Sequence, residues 1–164
     1  MIKNISNLGD AAIYCDFGTE VNEIINSKVI DYFDYITNLV NEKKIEGVNN
    51  LTPSYNKLII SFDLSSTNYF KLKEIIQNLD IKKNFKKEIK KIEVPVCCDD
   101  EYGLDFYRLS EKLKLSKEEI LNLYFNKEYF CYMTGFIAGM PFLGDINKKI
   151  RCNRLETPRV SVPE

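Results

Sequence analysis

The chain has 164 residues, 45 % hydrophobic and 29 % charged, with a formal net charge of -1, the make-up of a folded globular protein with room for one domain or two small ones. So small a net charge argues against a nucleic-acid surface, and its apolar runs fall short of the ~20 residues that span a bilayer. Gly9 and Asp10 interrupt the N-terminal apolar stretch where a signal peptide needs continuity, so a cytoplasmic protein without nucleic-acid or membrane partners is expected.

Ile2 to Leu8 and Ala11 to Phe17 read as two strands that pair across Gly9-Asp10. Thr19 is a candidate cap for a helix whose apolar residues recur through Val21, Ile25, Val29, Phe33, Ile36 and Val40, the three-and-four spacing of one buried face. Gly47 breaks that pattern, Val48 to Thr52 leads as a strand into a turn at Pro53-Ser54-Tyr55-Asn56, and Lys57 to Asp63 is another β-rich run. Ser65 or Ser66 then caps a second helix with Phe70, Leu72, Ile75, Ile76 and Leu79 on its apolar face. The lysine-rich run from Lys82 to Lys91 reads as a solvated linker and the domain boundary. Lys91 to Cys98 alternates as a strand, which Pro95 confines to an edge or an end. Strand, helix, strand, strand, helix, strand is the split βαβ order of a ferredoxin-like unit. Two short amphipathic helices follow, Leu104 to Leu113 and Lys117 to Phe125, the second opened by a Ser116/Glu119 capping box.

Histidine is absent, which removes the Ser-His and Cys-His nucleophile pairs, the commonest general base and the usual zinc ligand. Chemistry must run on carboxylates, lysine, arginine, hydroxyls or backbone amides. Cys15, Cys97, Cys98, Cys131 and Cys152 lack C-x-x-C spacing, so they read as reduced apolar fillers, with no disulfide framework and no metal expected. Cys97 and Cys98 are adjacent on a predicted strand, so at most one thiol can face a given site.

Gly135, Gly139 and Gly144 bracket a loop with two readings: backbone turning close to a ligand, or a hairpin whose Phe136, Met140 and Phe142 pack into a core. The loop has neither GxxxxGK[ST] nor GxGxxG spacing. Three of the four arginines, Arg151, Arg154 and Arg159, come next. A planar guanidinium can grip carboxylate or phosphate through two hydrogen bonds, which a flexible ammonium cannot. In the proline-stiffened stretch from Arg154 to Arg159 an anion site and a surface ion pair with Glu156 fit the spacing equally well.

A series of motifs covering nearly the whole chain resembles a known family. It includes Leu8-Gly9-Asp10-Ala11-Ala12, Thr52-Pro53-Ser54-Tyr55, Val94-Pro95-Val96, Tyr102-Gly103-Leu104-Asp105 and Tyr132-Met133-Thr134-Gly135-Phe136. It closes with Gly139-Met140-Pro141-Phe142-Leu143-Gly144 and Arg154-Leu155-Glu156-Thr157-Pro158-Arg159-Val160-Ser161-Val162-Pro163, whose order and spacing are the most specific part. The family is that of the B subunit of bacterial 5-oxoprolinase, which includes the KipI kinase inhibitor and the first subunit of allophanate hydrolase and is also described as a carboxyltransferase subdomain.

The resemblance implies a small α/β N-terminal unit followed by a cyclophilin-like β-barrel domain; with the element order above, the expected fold is α+β, a ferredoxin-like domain at residues 1–85 followed by the barrel. Members of the family continue past the position of Pro163 by roughly 70 to 80 residues, a domain-sized stretch. Residues 90–164 are therefore expected to form the N-terminal part of an incomplete, C-terminally truncated barrel. The activity implied is ATP-dependent opening of 5-oxoproline to glutamate, with ADP and phosphate as the other products, in company with the C and A subunits of 5-oxoprolinase. The family's alternatives are a KipI-like inhibitor of a sensor histidine kinase and a carboxyltransferase component of the allophanate hydrolase or urea carboxylase type. The candidates for binding substrate or nucleotide are Gly135, Phe136, Gly139, Pro141, Phe142, Arg154, Thr157 and Arg159. No catalytic residue is singled out, and ATP is implied by the resemblance alone.

Overall fold

The computed structural model describes residues 1–81 and 90–162; of the linker expected from Lys82 to Lys91, residues 82–89 lie outside the described residues. Contacts group the chain into two units, Met1–Lys87 with Cys131–Leu143 and Glu88–Phe130 with Gly144–Glu164.

In the first unit Gly9, at φ 62°, turns the chain between β1 (Asn4–Asn7) and β2 (Ala12–Asp16). A left-handed backbone is easiest for a residue without Cβ. β2 then pairs antiparallel with β4 (Lys57–Phe62), which pairs antiparallel with β3 (Val48–Pro53), giving the order β1-β2-β4-β3. Alternate residues of the two central strands point inward: Ile13 and Cys15 from β2, with Leu58, Ile60 and Phe62 from β4, are buried. Register sets Ile13 opposite Ile60 and Cys15 opposite Leu58. Against this apolar face pack Val29 and Ile36 of α1 (Glu23–Asn41) and Leu72 and Ile76 of α2 (Tyr69–Gln77).

Both helices start later than the sequence predicts, because asparagines rather than hydroxyl residues cap them. Asn22 Oδ1 accepts from the Ile25 amide at 2.9 Å and Asn68 Oδ1 from the Lys71 amide at 3.0 Å. Ser65 and Ser66 instead donate to the Asp63 carboxylate, at 2.8 and 3.2 Å. Phe70, expected on the buried face of α2, is exposed because the helix turns Leu72 and Ile76 inward.

Residues 91–98 form no strand among the described residues, which corrects the predicted fourth strand of the ferredoxin-like order. Its place beside β2 is taken by β1, whose buried Ile5 sits opposite Cys15. A strand joined to its neighbour by a tight turn closes a far shorter loop than one arriving from beyond the second helix. Ile92, Val94 and Val96 stand exposed.

The first unit also holds a hairpin of β5 (Cys131–Thr134) and β6 (Pro141–Leu143), paired antiparallel. The second unit contains α3 (Phe106–Leu113), α4 (Lys117–Phe125) and a 3-10 turn at Lys148–Ile150. The Ser116/Glu119 capping box is present in full: Ser116 Oγ accepts from the Glu119 amide at 3.2 Å, and Glu119 Oε2 from the Ser116 amide at 2.7 Å. Ile120 and Ile150 are buried there. The chain is thus a mixed α/β protein with two small antiparallel sheets; no closed barrel forms among the described residues. Nor is any helix among them long and apolar enough to cross a membrane.

Candidate functional site

Asp105 precedes the first residue of α3, at a position where aspartate often caps a helix, yet its side chain makes no cap hydrogen bond. Its carboxylate is taken by two arginines instead. Arg159 grips it in a fork, Nη1 donating to Oδ2 at 3.0 Å and Nη2 to Oδ1 at 2.9 Å. Arg108, the third residue of α3, donates its Nε to Oδ1 at 3.0 Å. Gly103 lets this segment fold tightly, since a Cβ there would fall 2.4 Å from the Phe106 ring.

The Arg159 hydrogen bonds, helped by those from Arg108 and by the charge of both guanidinium groups, outweigh partial burial and hold the Asp105 carboxyl at about 2. A carboxylate so strongly held in its charged form is a poor proton acceptor near neutrality. Asp105 is therefore a charge anchor in this site rather than a general base.

The same residues line a cleft of about 760 Å³, whose walls include Arg108, Arg151, Arg154 and Arg159. These are all four arginines of the chain. The remaining wall is largely apolar, built from Leu109, Ile146, Ile150, Leu155 and Pro158. Asp105 is the one acidic residue of the lining, so four positive charges face one negative. Among the described residues no carboxylate pairs with Arg151 or Arg154. Arg108 also reaches Cys152 Sγ and the Asn153 carbonyl, both at 3.5 Å, through Nη1. A second groove of about 530 Å³, lined by Val96, Tyr102, Leu104, Phe106 and Tyr124 among others, meets the first along Asp105, Leu109, Ile146, Ile150 and Arg159.

Of the arginine-segment candidates, Arg154 and Arg159 line the cleft, while Thr157 is exposed on the bend between them and is not part of the lining. The surface pair considered with Glu156 is replaced, for Arg159, by Asp105. Neither Asp105 nor Arg108 is among the candidates that the sequence nominates. The signal for Asp105 was its place in Tyr102-Gly103-Leu104-Asp105, while nothing local marks Arg108, whose role depends on helix α3 presenting it beside Asp105.

The glycine-loop candidates belong to the hairpin of the first unit. Gly135 donates to the Met140 carbonyl at 3.1 Å and Gly139, at φ 79°, completes the turn. Phe142 lies edge-on to Tyr55, 6.3 Å between ring centroids, and Tyr132 is buried 5.6 Å from the same ring. Core packing thus holds for Phe142 and fails for Phe136, which is 91 % exposed in the left-handed region at φ 69°. Met140 is exposed as well, and Pro141 lies exposed at the start of β6.

The reading of the cysteines as apolar fillers fits Cys15, whose thiol burial pushes up to about 12, but not the exposed Cys97 and Cys131. Among the described residues no group of three His, Cys, Asp or Glu side chains is placed to hold a metal ion.

Residues 3–164 match the family described as carboxyltransferase domain, subdomain C and D. The chain is 30 % identical to the B subunit of 5-oxoprolinase from Bacillus subtilis (strain 168), over 97 % of its own length and 70 % of that protein's. It is 35 % identical to the B subunit of 5-oxoprolinase from Haemophilus influenzae over 72 residues, which is 44 % of this chain and 34 % of that one. A crystal structure of the protein TTHA0988 superposes with a TM-score of 0.76 at 25 % identity, over 94 % of this chain and 29 % of that one. The match thus covers about a third of the Haemophilus relative, and the chain spans less than a third of TTHA0988. With the match running along all but its first two residues, the chain belongs to the carboxyltransferase domain, subdomain C and D family.

Proposed function

We propose that the chain serves in an ATP-dependent 5-oxoprolinase, opening the lactam of 5-oxoproline to glutamate together with companion subunits of the C and A types. The relatives' names motivate the reaction. The single observation that carries the site is the convergence of all four arginines on one cleft with one carboxylate. A lactam is a stable amide. ATP, when bound, supplies the phosphoryl group that turns its carbonyl oxygen into a leaving group.

That chemistry asks a protein for positioned positive charge more than for covalent catalysis. Guanidinium groups meet the demand, because they offer paired donors to phosphate oxygens and stay charged throughout. Arg151 and Arg154 supply the charge that no described carboxylate neutralises, and the apolar wall of Leu109, Ile150 and Leu155 strengthens it by thinning water. Arg108, held by Asp105, Cys152 and Asn153, helps to position the Asp105 carboxylate. None of these roles needs a histidine.

The test is co-expression with the companion subunits and assay of ATP-dependent glutamate release from 5-oxoproline. Arg154→Ala is expected to lower turnover at least tenfold, and unchanged turnover in an active complex removes the cleft from the proposal.

A second reading, a module that inhibits a sensor histidine kinase, draws on the exposed Phe136 and Ile137 at the hairpin tip, an apolar surface suited to a protein partner. Loss of kinase autophosphorylation on adding the chain, reversed by Phe136→Ser, would favour it over the enzyme. An allophanate hydrolase or carboxyltransferase role would show as turnover of urea-derived substrates by the same assembled complex.

A further inference from the structure

We infer that Asp105 is an internal competitor for the Arg159 fork and makes the arginine cleft selective for phosphate groups over single carboxylates. This rests on the anion-binding reading of the cleft just given. The Arg159 guanidinium is occupied in the geometry that a ligand carboxylate would adopt, with two parallel hydrogen bonds at 2.9 and 3.0 Å to the two oxygens of Asp105. An incoming monocarboxylate could therefore only exchange like for like at Arg159, with little net gain.

A phosphate or polyphosphate differs in kind. It carries more charge and a third acceptor oxygen, so it can engage Arg159 and Arg154 together, and Arg154 has no acidic partner among the described residues. Asp105 is not stranded by the exchange, because Arg108 Nε still holds Oδ1 at 3.0 Å. Arg159 sits in a segment, 151–162, that forms no helix or strand, so no ladder of backbone bonds resists its turning. The pair also stands where the arginine cleft meets the apolar groove. Exchange at Arg159 thus opens a way from the charged space to the apolar one, and suits a phosphate-bearing ligand with an apolar body.

The experiment compares inorganic pyrophosphate with acetate as probes, by calorimetric titration of the whole chain and of Asp105→Asn. The wild type is expected to bind pyrophosphate in preference to acetate, and Asp105→Asn to narrow that preference at least tenfold by admitting acetate to the vacated fork. Adding Arg159→Ala to Asp105→Asn should abolish the gain. An unchanged preference in Asp105→Asn, with pyrophosphate binding still lost in Arg151→Ala/Arg154→Ala, overturns the competitor role and leaves the anion cleft standing. Absence of pyrophosphate binding in every variant overturns both.

Should Asp105→Asn fail to fold, the wild type decides. With four arginines in the chain, the guanidinium nitrogen resonances can be assigned one by one. Pyrophosphate is expected to shift those of Arg159 and the carboxyl carbon of Asp105 together; shifts confined to Arg151 and Arg154 overturn the proposal.

Discussion

The side-chain amide of Asn26 donates to the carbonyl oxygen of Tyr132 at 3.0 Å, across 106 positions of sequence. The same nitrogen lies 3.1 Å from the Ser54 carbonyl and 3.0 Å from that of Tyr55. Helix α1, the turn before β4 and strand β5 are thereby tied at one buried point, beside the Tyr55–Tyr132 ring contact. Two amide hydrogens serve three acceptors, so one is shared.

Removing this donor takes a hydrogen bond from three carbonyls at a largely buried point, which costs about 1 to 3 kcal/mol. Asn26→Leu is expected to fall in that range by urea unfolding. Asn26→Asp should be worse, since an ionised carboxylate cannot donate and sets a charge against three carbonyl oxygens. Equal stability of Asn26→Leu and wild type would show that the tie is dispensable.

Gly47 makes a second structural prediction. Its φ of 77° disfavours any side chain, and a Cβ would lie 2.7 Å from Thr67 Cγ2. Gly47→Ala is expected to lower stability by about 1 to 3 kcal/mol, from strain and crowding together. Thermal unfolding checks this, and partial recovery in Gly47→Ala/Thr67→Ser would assign part of the loss to the methyl contact.

Acid should weaken the protein at two carboxylates. The Lys57 hydrogen bond, aided by the Gly18 amide, keeps the Asp16 carboxyl below its usual range, and the Arg159 fork keeps Asp105 at about 2. A lowered folded-state value means stability that is fully present above the unfolded value, about 3.9, and is lost as pH falls through the folded one. The contribution of Asp105 should therefore hold from neutrality to about pH 4 and fade toward pH 2. Because that side chain is 37 % exposed, solvent screening reduces its worth to about 1 kcal/mol. Urea midpoints at pH 7, 4 and 2 should show a smaller drop between the last two in Asp105→Asn than in wild type.

Phe136 tests whether the hairpin tip is shaped for contact rather than for folding. A bulky side chain at positive φ costs about 1 to 2 kcal/mol relative to glycine, and Phe136 regains little of it by packing because it is almost fully exposed. Phe136→Gly is expected to leave stability unchanged or raise it by up to about 1 kcal/mol. On the kinase-binding reading, the same variant should weaken capture of the kinase in a pull-down. Loss of stability without loss of capture would mean the ring serves the fold.

The legible parts of this fold are those specified by neighbours in sequence. The apolar runs that become β2 and β4, the Gly9 turn and the Ser116/Glu119 box each depend on a few adjacent residues, and each forms where the pattern places it. Residues 91–98 alternate as a strand would, yet a strand exists only if another pairs with it, and β1 already pairs with that side of β2. The site shows the same division. Clustering in sequence exposed Arg151, Arg154 and Arg159, whereas Arg108 and Asp105 join them only through the placement of α3 and the return of the chain some fifty positions later. Likewise, no spacing rule foretells that Phe142 packs against Tyr55 while Phe136, six residues earlier, does not.

The substitution of β1 for a later strand bears on synthesis. All four strands of the main sheet lie before residue 63, so the sheet can close while the rest of the chain is still being made, and domains fold as units in that order. Two of its pairings, β1 with β2 and β3 with β4, join strands adjacent in sequence, which favours their rapid closure. The β5–β6 hairpin arrives afterwards as an addition to a finished scaffold, with the Asn26 amide already in place to receive it.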